Sequence, residues 1–250
     1  MESDNTVPSI PNENTKREGH PIAPAWHTVL MVLVILSPLI LKTLSGHPGS
    51  GDATSSTSHL ALYFQGAVVE CIFFLFAWWG IRLGKTSLRI LLGASWPSRK
   101  EFGRDISLAI LFWGLWYGIL NLLKIGLIGV GITNANASGL SFPQGALEVA
   151  VWIPNAILAG IVEELVFRGY LLKQFTAWLR SPSVAVSVQA IIFGAAHGYG
   201  FGIRQMILIT ISGILVGGFV LWRRNLKSAI VFHSWADIFG AVVVKGLPFR

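Results

Sequence analysis

Residues 147–172 read LEVAVWIPNAILAGIVEELVFRGYLL. A helix needs about 17 to 25 predominantly apolar residues to cross a hydrocarbon layer about 30 Å thick, and this stretch supplies them. It also carries Glu163, Glu164 and Arg168 well inside its length. A charge of this kind at a helix centre costs about 2.5 to 3.5 kcal/mol on insertion scales, so the three must face one another or other polar groups inside a helix bundle. Fold and function both follow from that tension.

The rest of the chain has the same character. Of its 250 residues 53% are hydrophobic and only 12% charged, well below the share of about 25% in an ordinary soluble domain. Mean hydropathy is +0.62. Further apolar runs fall at residues 26–41, 60–81, 105–127, 184–201, 204–222 and 228–245, so the reading is an all-α, polytopic transmembrane helix bundle of about seven spans, with a range of six to eight. Residues 1–24 are polar and proline-containing and are expected to form a disordered tail. Residues 25–140 are expected to form N-terminal membrane helices, and residues 141–250 a catalytic core of membrane helices. The first apolar run is short enough to be read also as a signal peptide, although the acids of the preceding tail argue against it.

The net charge of +7 does not make a nucleic-acid surface, because the Lys and Arg residues lie in short clusters between apolar runs. Arg82, Lys85, Arg89, Arg99, Lys100 and Arg104 form one cluster, Lys173 and Arg180 a second, and Arg223, Arg224 and Lys227 a third. The positive-inside rule puts all three on the cytoplasmic side, with the N-terminus cytoplasmic and the C-terminus outside. The single cysteine, Cys71, sits in an apolar run, which leaves no disulfide framework and no Cys-based zinc site. Ser212, Gly213, Gly217 and Gly218 put small residues on one side of the sixth span, a spacing that permits close helix approach in lipid.

In the last four spans the ionisable residues away from the ends are Glu163, Glu164, Arg168, His197, His233 and Asp237. Glu164 and Arg168 stand four apart with the acid first, the favourable order for an ion pair on one helix face. Glu163 is turned about 100° from Glu164, so one carboxylate can pair while the other stays reactive. His233 and Asp237 share a face of the last span, and Phe193 and His197 share a stripe on the fifth. With a rise of about 1.5 Å per residue, Glu164 lies about 14 Å from Lys173, His233 about 9 Å from Lys227 and Asp237 about 15 Å from it. His197 lies about 22 Å beyond Pro182, so the fifth helix must tilt or be displaced to join them. Glu70, deep in the second span, matches no motif and is expected to make an interhelical hydrogen bond. Glu148 and Arg204 are expected at span ends, and His20, His27, His47 and His59 are given no role.

A Glu-Glu-x-x-x-Arg segment (Glu163, Glu164, Arg168), then Phe-x-x-x-His (Phe193, His197), then His-x-x-x-Asp (His233, Asp237), in that order on successive spans, resembles the CAAX-protease and bacteriocin-processing (CPBP) family over about residues 147–245. The resemblance implies an intramembrane endopeptidase acting on a membrane-associated peptide or protein, prenylated at a CAAX terminus in the best-known members. It implies that Glu163 activates water with the help of His197, that Glu164 and Arg168 form a supporting pair, and that His233 and position 237 stabilise the oxyanion or bind a metal. The family often has Asn at the last position, whose amide can donate to an oxyanion. An ionised Asp237 would repel one, so Asp237 is protonated, pairs with His233 or ligates a cation. His197, His233 and Asp237 form a workable zinc set with an open fourth position, which leaves zinc dependence open. A catalytically silent immunity or scaffold protein of the same fold, or a proton-coupled transporter, would use some of the same residues. No motif residue is missing, which argues against the first, and no internal repeat is seen, which argues against the second.

Overall fold

The structure, a computed structural model of the chain, describes residues 20–44, 58–93, 96, 98–133 and 142–243. Most of the expected tail, and most of the Gly/Ser/Thr-rich stretch from Ser45 to Ser58, lie outside the described residues. The described elements are all helical: α1 (Ala25–Leu44), α2 (His59–Leu83), the short α3 (Leu88–Leu92), α4 (Arg99–Gly129), α5 (Gly145–Glu163), α6 (Leu172–Leu179), α7 (Pro182–Arg223) and α8 (Lys227–Ile238). A π-helical segment, Glu164–Leu171, joins α5 to α6 without a break, and another, Phe239–Val243, extends α8. Four stretches are long and apolar enough to cross a membrane: His59–Leu83, Arg99–Gly129, Gly145–Leu179 and Gly202–Arg223. The first and fifth expected spans are shorter apolar helices, Ala25–Leu41 and Pro182–Gly198. The protein is an integral membrane helix bundle.

Local sequence explains the helix limits. Ser58, Ser98 and Ser181 each accept a backbone N–H of the first turn with the side-chain hydroxyl, which satisfies a donor that the helix itself leaves open. Pro182 then opens α7, where a missing N–H costs nothing. Within α7 the chain reverses at Gly202, whose φ of 78° and ψ of 174° only glycine adopts easily, so the fifth and sixth expected spans form a tight antiparallel hairpin.

The hairpin is held by small residues. A Cβ at Gly213 would meet Ala190, one at Gly217 would meet Val186 and Gln189, and one at Gly194 would meet Thr210 and Met206. The small-residue stripe expected on the sixth span is therefore divided among neighbours. Gly213 and Gly217 face the fifth span, whereas Ser212 accepts the Trp116 indole N–H from α4 at 2.8 Å and Gly218 has open space beside it. Ring contacts join α4, α7 and α8: Phe112 stacks on Phe219 at 4.2 Å and meets Phe232 edge-on at 4.8 Å. Such pairs each add about 0.5 to 1.5 kcal/mol beyond area burial.

The three basic clusters gather at one end of the bundle. Arg223 bonds Asp105 at 2.6 Å, the Lys227 ammonium lies over the Trp96 ring at 4.9 Å, and Gly93 packs on Asn225. At the same end the buried Gln174 accepts the amides of Ile22 and Ala23 at 2.8 and 3.1 Å and donates to the Ala23 carbonyl at 3.0 Å. Ile22 and Ala23 are buried, so the packed part of the chain includes residues ahead of α1. At the opposite end Glu148 accepts from His59 at 2.9 Å and from the Gln144 amide at 2.6 Å.

Candidate active site

Two glycine-dependent contacts bring the polar residues together. Gly160, one turn before Glu164, packs directly on Ser234, and a Cβ there would overlap the Ser234 hydroxyl and backbone nitrogen. The approach of α5 to α8 is what places the carboxylates beside His233. The close fit of Gly194 on Thr210 and Met206 sets the position of Phe193, its chain neighbour, and of His197 one turn later.

Glu164 and Arg168 are fully buried, with side-chain exposures of 0% and 1%, and bond at 2.8 Å as their spacing predicts. The same oxygen, Glu164 Oε1, accepts a hydrogen bond from His233 Nδ1 at 2.8 Å. The guanidinium of Arg168 also lies 4.6 Å from the centre of the Phe193 ring, which meets Phe167 edge-on at 4.7 Å. A buried anion between two donors is far cheaper than a lone one. One carboxylate thus fixes both the arginine and the imidazole.

Because Nδ1 of His233 carries the proton given to Glu164, Nε2 is turned to the other side of the ring. It stands 3.7 Å from Glu163 Oε2 and 3.7 Å from Asp237 Oδ2. These separations are too long for hydrogen bonds and leave the groups facing one another across a gap. Glu163 Oε2 is buried and has no hydrogen-bond partner among the described residues. His197 donates from Nδ1 to the Phe193 carbonyl at 2.8 Å, which orients its ring with Nε2 as the basic nitrogen, and it lies near enough to act electrostatically on Asp237. The tilt required for His197 to join the others is met by the hairpin in α7 and by the Phe193 ring, which touches His197 at 4.6 Å and His233 at 6.4 Å. All six sequence-selected residues therefore gather in one region.

Three features were not read from the sequence. The Glu-Glu-x-x-x-Arg segment straddles the change from α-helix to π-helix at Glu163 and Glu164. Such segments are frequent at functional sites because they re-aim side chains within a continuous helix. His27, given no role, is fully buried; its Nδ1 meets the Tyr170 hydroxyl at 2.8 Å, and that hydroxyl also meets Thr28 at 2.9 Å. This ties α1 to the π-helical segment behind the site. Glu70 does not make the expected hydrogen bond: its Oε2 is buried without a partner among the described residues, and it interacts electrostatically with Glu163, His233 and Asp237.

Among the described residues no three His, Cys, Asp or Glu side chains are placed to hold a metal ion.

Residues 145–239 match the model of the family described as Rce1-like, type II CAAX prenyl endopeptidase. This region is thus similar to the CAAX proteases of the CPBP family. No curated protein and no solved structure matches the chain. The matched residues run from the start of α5 to the first residue of the π-helical extension of α8, and they contain all three motifs. The match supports CAAX-type intramembrane protease activity in general, and with it a substrate associated with the bilayer.

Proposed function

We propose that this protein is an intramembrane endopeptidase that hydrolyses a peptide bond near the C-terminus of a membrane-associated, CAAX-prenylated protein or peptide. The observation that carries the reading is the convergence of Glu163, His233 and Asp237 across a gap of 3.7 Å, backed by a fully buried Glu164–Arg168 pair. Peptide hydrolysis needs a base for water and a donor where the tetrahedral oxyanion forms. Glu163, without a hydrogen-bond partner and turned toward the gap, is the base, and His197 Nε2 assists it by accepting a hydrogen bond from the same water. A water held by Glu163 attacks the scissile carbonyl; its proton passes to Glu163 and then to the leaving amine. His233, held by Glu164 through Nδ1, supports the oxyanion from Nε2 when protonated, and Asp237 holds that imidazolium. Glu164 and Arg168 orient His233 and touch no substrate, a positioning role analogous to that of the acid in a Ser-His-Asp triad. The end carrying the three basic clusters faces the cytoplasm, with the N-terminus, in keeping with the positive-inside rule. Residues 141–250 supply the motif residues, and the helices within residues 25–140 hold them in place.

The test is cleavage of a quenched prenyl-peptide library by purified protein in detergent, wild type beside Glu163→Gln. Loss of an essential base is expected to lower kcat at least about 10²-fold while leaving the melting temperature nearly unchanged. Turnover by Glu163→Gln at the wild-type rate would sink the mechanism. A strong chelator added to the wild type separates a zinc-dependent reaction from the metal-free route described above.

A further inference from the structure

Glu70 is a carboxylic acid halfway along α2, outside the region matched by the family model and outside every motif in the chain. Its position is dictated by the stripe it occupies. Tyr63, Glu70 and Ala77 recur every seven residues, and Tyr63 and Ala77 are buried against the bundle, so Glu70 points inward and not to lipid. Tyr63 packs edge-on against Trp152 at 5.2 Å, and the Trp152 indole donates to the Asp237 carbonyl at 3.4 Å, which fixes α2 against α5 and α8 beside Asp237.

The groups that act electrostatically on Glu70 are Glu163, His233 and Asp237, two acids and one imidazole. Arg168 and the Nδ1 proton of His233 are already taken up by Glu164. Glu70 Oε2 and Glu163 Oε2 are both buried without a hydrogen-bond partner among the described residues. A buried acceptor left unmatched in a bilayer is costly. It is retained where something that arrives later supplies the hydrogen. Glu163 has a use for its lone pair in activating water. Glu70 has none in the mechanism above.

Resting on the endopeptidase reading, we propose that Glu70 is a substrate-binding residue contributed by α2, whose side-chain oxygen accepts a backbone N–H of the bound peptide beside the scissile bond. An extended peptide carries an N–H at every residue, and within the membrane those groups have no water to bond. An acceptor opposite the motif helices holds the chain so that its carbonyl lies over Glu163. The missing hydrogen-bond partner is then the substrate itself.

The test combines two variants with a chemical scan of the peptide. Glu70→Leu removes the acceptor and Glu70→Gln keeps a carbonyl oxygen. For Glu70→Leu, KM is expected to rise about 10-fold to 100-fold, the usual cost of leaving a buried peptide N–H without its acceptor. Glu70→Gln is expected to fall between Glu70→Leu and wild type. Both variants are expected to melt at or above the wild-type temperature, since an unpaired buried acid is removed. N-methylation of the peptide at the residue that bonds Glu70 lowers kcat/KM for wild type but has no further effect on Glu70→Leu, a non-additivity that a purely structural role cannot produce. The proposal is overturned if Glu70→Leu keeps wild-type kcat/KM, if N-methylation at every position affects wild type and Glu70→Leu alike, or if melting temperature falls in step with activity in both variants. Failure of the endopeptidase reading is seen separately, as absence of cleavage by wild type. In that case affinity for the same peptide, read by fluorescence on protein carrying Glu163→Gln with and without Glu70→Leu, decides the matter: weakened binding upholds the proposal and unchanged binding overturns it.

Discussion

Replacement of Arg168 by alanine should unfold the site before it touches the chemistry, and the structure sets the size of the effect. The guanidinium is 1% exposed, bonds Glu164 at 2.8 Å and covers the Phe193 ring at 4.6 Å. Its loss leaves a carboxylate of 0% exposure with His233 as its remaining donor. Breaking one side of a buried pair costs about 3 to 5 kcal/mol. Polar groups in a membrane-inserted but unpacked chain also find partners, so the lower end, about 3 kcal/mol, is expected here. At about 2 to 4 °C per kcal/mol for a chain of this size, Arg168→Ala should lower the melting temperature by roughly 6 to 12 °C. Glu163 is a useful control, because it is 18% exposed and its nearest charged neighbour is 3.7 Å away, so Glu163→Gln should cost less than about 1 kcal/mol. Both can be followed by tryptophan fluorescence during heating in one detergent, alongside cleavage assays below the transition. The paired variant Glu164→Gln with Arg168→Met should regain at least half of the lost stability, since no lone charge is then buried. Arg168→Ala melting within about 2 °C of wild type would refute the reasoning, because it would mean that the pair is not desolvated.

Further outcomes follow from the same geometry. Gly160→Ala forces α5 away from Ser234, and overpacking of this kind costs about 1 to 3 kcal/mol; a displacement near 1 Å at the carboxylates should reduce kcat about 10²-fold, measured on protein that remains folded. Asp237→Asn separates two roles for that position: retention of cleavage within about 10-fold fits support of the oxyanion, whereas a loss accompanied by release of bound metal, measured by elemental analysis, fits a zinc ligand. Gln174→Ala breaks three buried hydrogen bonds to Ile22 and Ala23 at the basic end of the bundle, far from the motif residues. It should make the chain ahead of α1 more sensitive to protease while leaving kcat near wild type, a result readable by limited proteolysis and peptide cleavage on the same sample.

Much of this protein was legible in its sequence because a bilayer simplifies the code. Apolar runs of spanning length can satisfy their backbone groups only as helices, so helix number and approximate limits follow from composition. Charge inside such runs is expensive, so Glu163, Glu164, Arg168, His197, His233 and Asp237 stood out as a set, and the four-residue spacing of Glu164 and Arg168 correctly foretold their pairing. Spacing along one helix could not tell which oxygen His233 would bond, since that depends on where Gly160 lets α8 approach. Nor could it reveal the π-helical turn at Glu164–Leu171, because that widening is a response to packing and not to any local residue preference. The small residues of the sixth span looked like one face, yet the tertiary contacts assign Gly213 and Gly217 to the hairpin and Ser212 to Trp116. Glu70 marks the boundary most clearly. Its sequence shows an acid in mid-span; only the packing of α2 on α5 turns that acid toward Glu163, His233 and Asp237, because the direction in which an isolated helix points a side chain has no meaning until a neighbouring helix defines inside and outside.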